Sequence, residues 1–247
     1  MLVLGIETST PVSSVALWRD DGPLASLRVS RARGHVEFLA PAIDELCARA
    51  GVSLRDVDGV ATGLGPGLFT SMRVGIVTAK SIAQALSVPV WGSSSLDLLA
   101  FAVRHAAGTV CACIDARRDE VFAAFYAPAP DGVKRLGGYR AIAPAALAAE
   151  CAKLGEPVLL AGNGPAVYRK ELGSADGSAA SGWLRFPSAD ALCELAVPRF
   201  KLEEGIAPSA LEPIYVRKTD AEINWEARGV TIERPFRVKV PKRALDS

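Results

Sequence analysis

MLVLGIETSTPVSSVALWRDDGPLASLRVS, residues 1–30, holds three short apolar runs separated by turn residues. Leu2 to Glu7 is nearly all apolar, the pattern of a strand covered on both faces. Thr8-Ser9-Thr10-Pro11 is a polar turn, and Val12 to Arg19 is a second strand. Asp20-Asp21-Gly22-Pro23 supplies hairpin residues. Leu24 to Ser30 then alternates, with Leu24, Ser26, Arg28 and Ser30 on one face and Ala25, Leu27 and Val29 on the other. These three strands predict an antiparallel meander.

The chain downstream extends that unit and then repeats its order. Val36, Leu39, Ile43, Leu46 and Cys47 recur at helical spacing between Gly34 and Ala50, and Gly51 ends the run. Asp58 to Leu64 predicts a strand, Gly65-Pro66-Gly67 a tight turn, and Thr70 or Ser71 the cap of a helix reaching Leu86. Val88 to Trp91 is a strand, and Ser93-Ser94-Ser95 opens a helix ending near Ala107. Three strands are then predicted over Thr109–Asp115, Val121–Ala127 and Gly132–Arg140. A helix (Pro144–Leu154), a strand (Pro157–Ala161), a helix (Asn163–Leu172), a flexible loop and a helix capped by Ser188 and reaching Glu204 follow. Meander-then-helix order occurring twice predicts a duplicated α/β unit. The expected lobes are residues 1–107 and 108–218. Residues 219–247 form a tail, read as a solvated, partly disordered segment or as one added strand from Val230, Ile232, Phe236, Val238 and Val240.

Bulk composition narrows the class. Half of the 247 residues are apolar and 22% are charged, which is globular rather than disordered. A net charge of +1 supplies no global field for nucleic acid or anionic membrane. No run approaches the roughly 20 apolar residues of a membrane helix, and the opening run lacks a signal peptide's basic lead, so a cytoplasmic protein is expected. Cys47, Cys111, Cys113, Cys151 and Cys193 contain no Cys-x-x-Cys pair and read as buried reduced thiols. Alternation along the strand turns Cys111 and Cys113 to the same face.

The chemistry-bearing candidates are few. His35 and His105 are seventy positions apart, and the residue four after His35 is Leu39, so no helical histidine pair holds a metal. Glu7-Thr8-Ser9-Thr10-Pro11 has hydroxyls after an acid, but no glycine for close phosphate approach, and Pro11 removes an amide donor. Catalytic ATP hydrolysis is therefore not expected, and neither a cofactor nor a metal is assigned. Gly65-Pro66-Gly67 lacks the lysine of a phosphate-binding Walker loop. Asp115, Arg117 and Glu120 at a strand end read as surface ion pairs. Ser71, Gly75, Ala79 and Ala83 form a stripe of small side chains at successive i+4 positions, beside Met72, Ile76 and Ile82. Such a stripe admits the close approach of another element, either in its own domain or in a partner.

Three segments carry a family resemblance: Gly5-Ile6-Glu7-Thr8-Ser9; Gly63-Leu64-Gly65-Pro66-Gly67-Leu68-Phe69-Thr70-Ser71-Met72-Arg73-Val74-Gly75; and Asp115-Ala116-Arg117-Arg118-Asp119-Glu120-Val121-Phe122, with Pro213-Ile214-Tyr215-Val216-Arg217 near the end. Together they resemble the TsaB (YeaZ) family of bacterial tRNA threonylcarbamoyladenosine synthesis, from Leu2 to about Arg217. The Gly-Pro-Gly segment is shared with the catalytic relative TsaD. The resemblance implies the actin/Hsp70/sugar-kinase superfold, two related lobes each with a mixed sheet. It also implies a non-catalytic subunit that binds TsaD, acts with the ATPase TsaE and reaches tRNA through the complex. TsaB-like proteins meet TsaD through their first two helices. That tips the stripe toward a partner, with His35, Phe38, Leu39, Ala42 and Leu46 contributing from the first helix, and a homodimer through the same helices is a further expectation. The alternative is an active ATP-dependent small-molecule kinase or carbamoyl-type transferase with Glu7 or Asp115 near its metal. A glycoprotease fails for want of a metal pair or a nucleophile–base set.

Overall fold

The computed structural model describes residues 1–20, 22–30, 34–130, 132–173 and 179–217, without the side chains of residues 35 and 36. The predicted strand or disordered tail at 219–247 lies outside the described residues, as do residues 176–178 of the flexible loop predicted over 176–182.

Side-chain alternation in the first strand organises the molecule. In β1 (Leu2–Glu7), Leu2, Leu4 and Ile6 join one apolar cluster while Val3 joins another. The strand is buried throughout because both faces are covered. It pairs antiparallel with β2 (Val12–Arg19), which pairs antiparallel with β3 (Gly22–Ser30). On its other side β1 runs parallel to β4 (Gly59–Gly63), and β4 runs parallel to β5 (Val90–Ser93). The first sheet thus has the order β3-β2-β1-β4-β5. Helices α1 (His35–Ala50) and α2 (Phe69–Leu86) cover one face.

A second sheet repeats the plan. β6 (Val110–Arg117), β7 (Glu120–Ala129) and β8 (Gly132–Arg135) form an antiparallel meander, and β9 (Arg140–Ile142) also pairs with β7. β10 (Leu159–Ala161) runs parallel to β6, as β4 does to β1. Helix α4 (Pro144–Lys153) covers one face through Leu147 and Cys151. This correspondence of strand order and direction is the duplicated superfold expected from the sequence.

The remaining helices change sheets. α3 (Ser95–Ala102) follows β5 but packs on the second sheet, with Leu96, Leu99 and Ala100 against Val110, Ala112 and Ile114. α7 (Ala189–Lys201) follows the second sheet but packs on the first, with Leu192, Cys193 and Ala196 against Val3, Ala16 and Ala61. Gly5 permits that crossing: a Cβ there would sit 2.5 Å from Cys193 Sγ and 2.8 Å from the Ala189 carbonyl oxygen. Met1–Val216 accordingly form one compact unit.

Several predicted boundaries move for local reasons. α2 begins at Phe69 after Leu68, without a side-chain cap, so Thr70 and Ser71 lie inside it. α3 is capped by Ser94, whose Oγ accepts from the Leu96 amide at 3.1 Å, and it ends at Ala102 rather than near Ala107. The strand predicted over Gly132–Arg140 is two strands, separated around Gly137-Gly138. The helix predicted over Asn163–Leu172 is two short turns, α5 (Gly164–Val167) and α6 (Arg169–Leu172), broken at Tyr168, whose hydroxyl is drawn to Asp115. α7 is capped by Ser188 as predicted.

Candidate functional site

Helices α1 and α2 carry most of the sequence-nominated residues, and packing decides which faces they leave free. On α1, Leu39, Ala42, Ile43, Leu46 and Cys47 fall at i, i+3, i+4, i+7 and i+8, and all are buried against the sheet. Glu37, Ala40, Pro41, Asp44, Glu45, Ala48 and Arg49 face outward. On α2, Ser71, Met72, Gly75, Ile76, Ala79 and Ala83 are buried.

The small-residue stripe therefore faces inward, against the chain's own sheet, the own-domain packing that the sequence left open beside a partner contact. Gly75 lies where α2 crosses the end of β1, and a Cβ there would be 2.4 Å from Thr8 Oγ1. Thr8 Oγ1 donates to the Ser71 carbonyl at 2.7 Å, fixing the crossing. Leu39, Ala42, Leu46, Ser71, Met72, Gly75, Ile76, Ala79 and Ala83 are buried in the chain's own core. Phe38 and Ile82 are half-buried and keep a free edge. The His35 side chain lies outside the described residues.

What α2 presents outward is a second i+4 stripe on the opposite side: Phe69, Arg73, Val77, Ser81 and Ala85, all exposed. Phe69 is 41% and Val77 60% exposed, unusual for apolar side chains on a well-formed helix. The Arg73 guanidinium lies 5.0 Å over the Phe69 ring, which meets the Tyr215 ring at 5.5 Å. Sequence reasoning missed these residues. Their signal was the same i+4 spacing, overshadowed by the glycine of the other stripe.

The turn after β1 is closed. Glu7, Thr8, Ser9 and Thr10 are buried. Glu7 Oε1 accepts from the Ser9 amide at 2.6 Å, while Oε2 has no hydrogen-bond partner among the described residues. The carboxyl presses on Gly63, where a Cβ would come within 1.7 Å of Oε2. Burial pushes the Glu7 pKa up from its ordinary value, against the pull of the Ser9 hydrogen bonds, so the neutral acid is favoured. Gly65-Pro66-Gly67 folds over this turn: a Cβ on Gly67 would lie 2.1 Å from the Ser9 carbonyl oxygen, which accepts from the Leu68 amide at 2.7 Å. Ser95 Oγ donates to Ser9 Oγ at 2.7 Å, and the Ser95 amide donates to the Gly65 carbonyl at 2.8 Å. The hydroxyls of Thr8 and Ser9 and the amides of Ser9 and Leu68 are thus bonded within the chain.

Asp115, at the matching place in the second sheet, is also buried. It accepts from the Arg117 amide at 2.8 Å and the Tyr168 hydroxyl at 3.0 Å, and its own amide donates to Asn163 Oδ1 at 3.0 Å. Burial, then the Asp115 carboxylate, pushes the Tyr168 phenol up to about 12. The exposed Arg117 guanidinium lies 3.3 Å from Asp115, a local ion pair. His105 is exposed, and among the described residues no group of three His, Cys, Asp or Glu side chains is placed to share a metal. No helix among them is long and apolar enough to cross a membrane.

Comparison with known proteins places these features in a family. Residues 29–225 match the family model of TsaD, the tRNA N6-adenosine threonylcarbamoyltransferase. The chain is 30% identical over 225 residues to the tRNA threonylcarbamoyladenosine biosynthesis protein TsaB of Escherichia coli K12, covering 90% of this chain and 96% of that one. It is 32% identical over 126 residues to TsaB of Bacillus subtilis 168, covering 51% and 55%. Among solved structures, YeaZ from Pseudomonas aeruginosa superposes with a TM-score of 0.74 at 29% identity, over 87% of this chain and 99% of that one. The chain, with its doubled sheet and a match over 90% of its length, belongs to the TsaB (YeaZ) family.

Proposed function

We propose that this protein works in tRNA threonylcarbamoyladenosine synthesis as a non-catalytic subunit. It binds a TsaD-like catalytic subunit through the outer faces of α1 and α2, and a TsaE-like ATPase joins that complex. The protein meets tRNA only through the assembly. The observation that carries the binding role is the exposed stripe of Phe69, Arg73 and Val77 on α2, together with the half-buried Phe38 on α1 and Ile82 on α2. An apolar stripe on a rigid helix is a surface a helix of a partner can cover. The non-catalytic role rests on the closed turn, where Glu7 is shielded and its hydroxyl neighbours are bonded internally. In the absence of its partner, a second copy covers the same stripe, so homodimer and complex compete.

The test is co-purification with the TsaD-like protein of the same source, with ATP turnover and tRNA threonylcarbamoylation assayed for each protein alone and together. A stable complex, modification only when both are present, and no turnover by this chain alone are expected. Turnover by the isolated chain with a small substrate, and no complex, would overturn the proposal in favour of a kinase-like activity.

A further inference from the structure

Five arginines among the described residues lie over an aromatic ring: Arg28 over Trp183 at 5.4 Å, Arg73 over Phe69 at 5.0 Å, Arg104 over Phe101 at 4.1 Å, Arg135 over Tyr139 at 4.1 Å and Arg140 over Phe125 at 5.7 Å. A guanidinium so placed gives one face to the ring and keeps the N–H donors on its rim for an oxygen partner. Four of the five use that rim on a carboxylate. Arg28 reaches Asp190 at 3.1 Å, Arg104 reaches Glu194 at 2.6 Å, Arg135 reaches Asp97 at 3.4 Å, and Arg140 donates to both oxygens of Glu150. Arg73 is the exception: among the described residues it has its ring and no carboxylate.

The exception lies on the outer stripe of α2. Arg73 is exposed, one turn after Phe69 and one turn before Val77. The Phe69 ring is itself backed by Tyr215 at 5.5 Å, so ring and guanidinium are arranged in advance. α2 has no Asp or Glu in its 18 residues. Its other cation, Lys80, donates to the Leu211 carbonyl at 3.1 Å. On α1, Glu45 is held by Arg49 at 2.7 Å. While the stripe faces water, the rim of Arg73 is solvated. A partner that covers Phe69 and Val77 strips that water away, and a covered cation without an anion is costly.

We infer that the missing carboxylate comes from the partner: an Asp or Glu on the helix that covers Phe69 and Val77 meets the rim of Arg73, and this pair selects the partner. The inference rests on the binding role proposed above for the outer face. Phe69 and Val77 alone accept many apolar surfaces. The guanidinium, held over its ring, donates to a carboxylate placed at its edge and rejects a surface that brings a cation or an apolar side chain there.

The test titrates the TsaD-like protein of the same source into the full chain by calorimetry, comparing wild type, Arg73→Gln, Arg73→Lys and Val77→Asp. Arg73→Gln should keep the native circular dichroism spectrum, because the side chain is exposed, and raise the Kd by about 30-fold or more. Arg73→Lys should recover only part of that loss, since it keeps the charge without the planar fork. Carbodiimide treatment of the complex formed by the Arg73→Lys variant should join the new amine to an Asp or Glu of the partner, located by peptide mapping. Weakening by Val77→Asp but not by Arg73→Gln would overturn this inference and leave the outer face as the interface. Binding untouched by either change would sink the interface itself. Binding of tRNA by the isolated chain through Arg73, with partner affinity unchanged in Arg73→Gln, would mean that the rim takes a phosphate instead, and would also overturn the inference.

Discussion

Replacing Gly75 with alanine tests the inward orientation of the small-residue stripe. On an exposed helical surface the change should stabilise by about 1 kcal/mol, because glycine is the poorer helix former. At Gly75 the new methyl would stand 2.4 Å from Thr8 Oγ1 and 3.5 Å from Thr8 Cβ and Cγ2. Thr8 is short, β-branched and buried, and its hydroxyl is tied to the Ser71 carbonyl at 2.7 Å, so it cannot swing aside without breaking that bond. Overpacking of this kind costs about 1–3 kcal/mol, and the lost hydrogen bond about 1 more. Set against the helix-propensity gain, the net is a loss of about 2 kcal/mol, or about 4–8 °C in Tm for a unit of this size.

Urea titration of four proteins separates the contributions: wild type, Gly75→Ala, Thr8→Ala and the double variant. Thr8→Ala removes the obstructing oxygen, so the double variant should be more stable than the sum of the single changes by about 1–2 kcal/mol. A more stable Gly75→Ala with no coupling to Thr8 would refute the reasoning and return the stripe to the surface. The longer Gly75→Arg change is expected to unfold the chain rather than spare it.

Val77→Asp should change stability by no more than about 0.5 kcal/mol, since the side chain is mostly exposed, yet abolish co-purification with the TsaD-like partner; retained binding would refute the outer-stripe proposal. The folded-state pKa of Glu7 is raised above its unfolded value, so the native state holds the proton longer, and this group's contribution is full below pH 4.5 and declines as pH rises through the folded value. Denaturation midpoints of wild type should therefore fall relative to Glu7→Gln by up to about 1.4 kcal/mol per pH unit above 4.5, and parallel profiles would contradict a buried neutral acid. Asp97 accepts hydrogen bonds from the hydroxyls of Tyr126 at 2.7 Å and Tyr139 at 2.6 Å, and from Arg135 at 3.4 Å. Asp97→Ala should cost about 2–4 kcal/mol in a denaturant titration, because it strands two largely buried phenols; a loss under 1 kcal/mol would mean water replaces the carboxylate.

Elements whose signals are local were legible from the chain. β1 and β2 run over the residues their apolar runs and turn chemistry indicate. α1 ends at the glycine that marks its C-cap, and α7 starts at its serine. Where boundaries moved, a distant contact or a neighbouring residue prevailed. Within the predicted opener Ser93-Ser94-Ser95, Ser94 caps α3, while Ser95 bonds to Ser9 and Gly65 across the molecule. At the interruption, the Tyr168 hydroxyl donates to Asp115, 53 residues away in sequence, a contact that periodicity cannot register.

The same limit explains why the helices were identified while the side each turns to the sheet was left open. Periodicity places residues on a common side of a helix but does not say what lies beyond that side. α2 has two i+4 stripes on opposite sides, one of Ser71, Gly75, Ala79 and Ala83, the other of Phe69, Arg73, Val77, Ser81 and Ala85. Small side chains allow close approach, and the sheet beneath, with Thr8 at the crossing, takes that approach first. A helix lying on a sheet in its own chain must bury its closest-packing side there before any partner arrives, because the fold depends on it and binding does not. The stripe left over carries larger, mixed side chains, and all of them are exposed. For a helix predicted both to cover a sheet and to bind a second protein, the glycine-containing stripe is therefore the one to assign to the sheet.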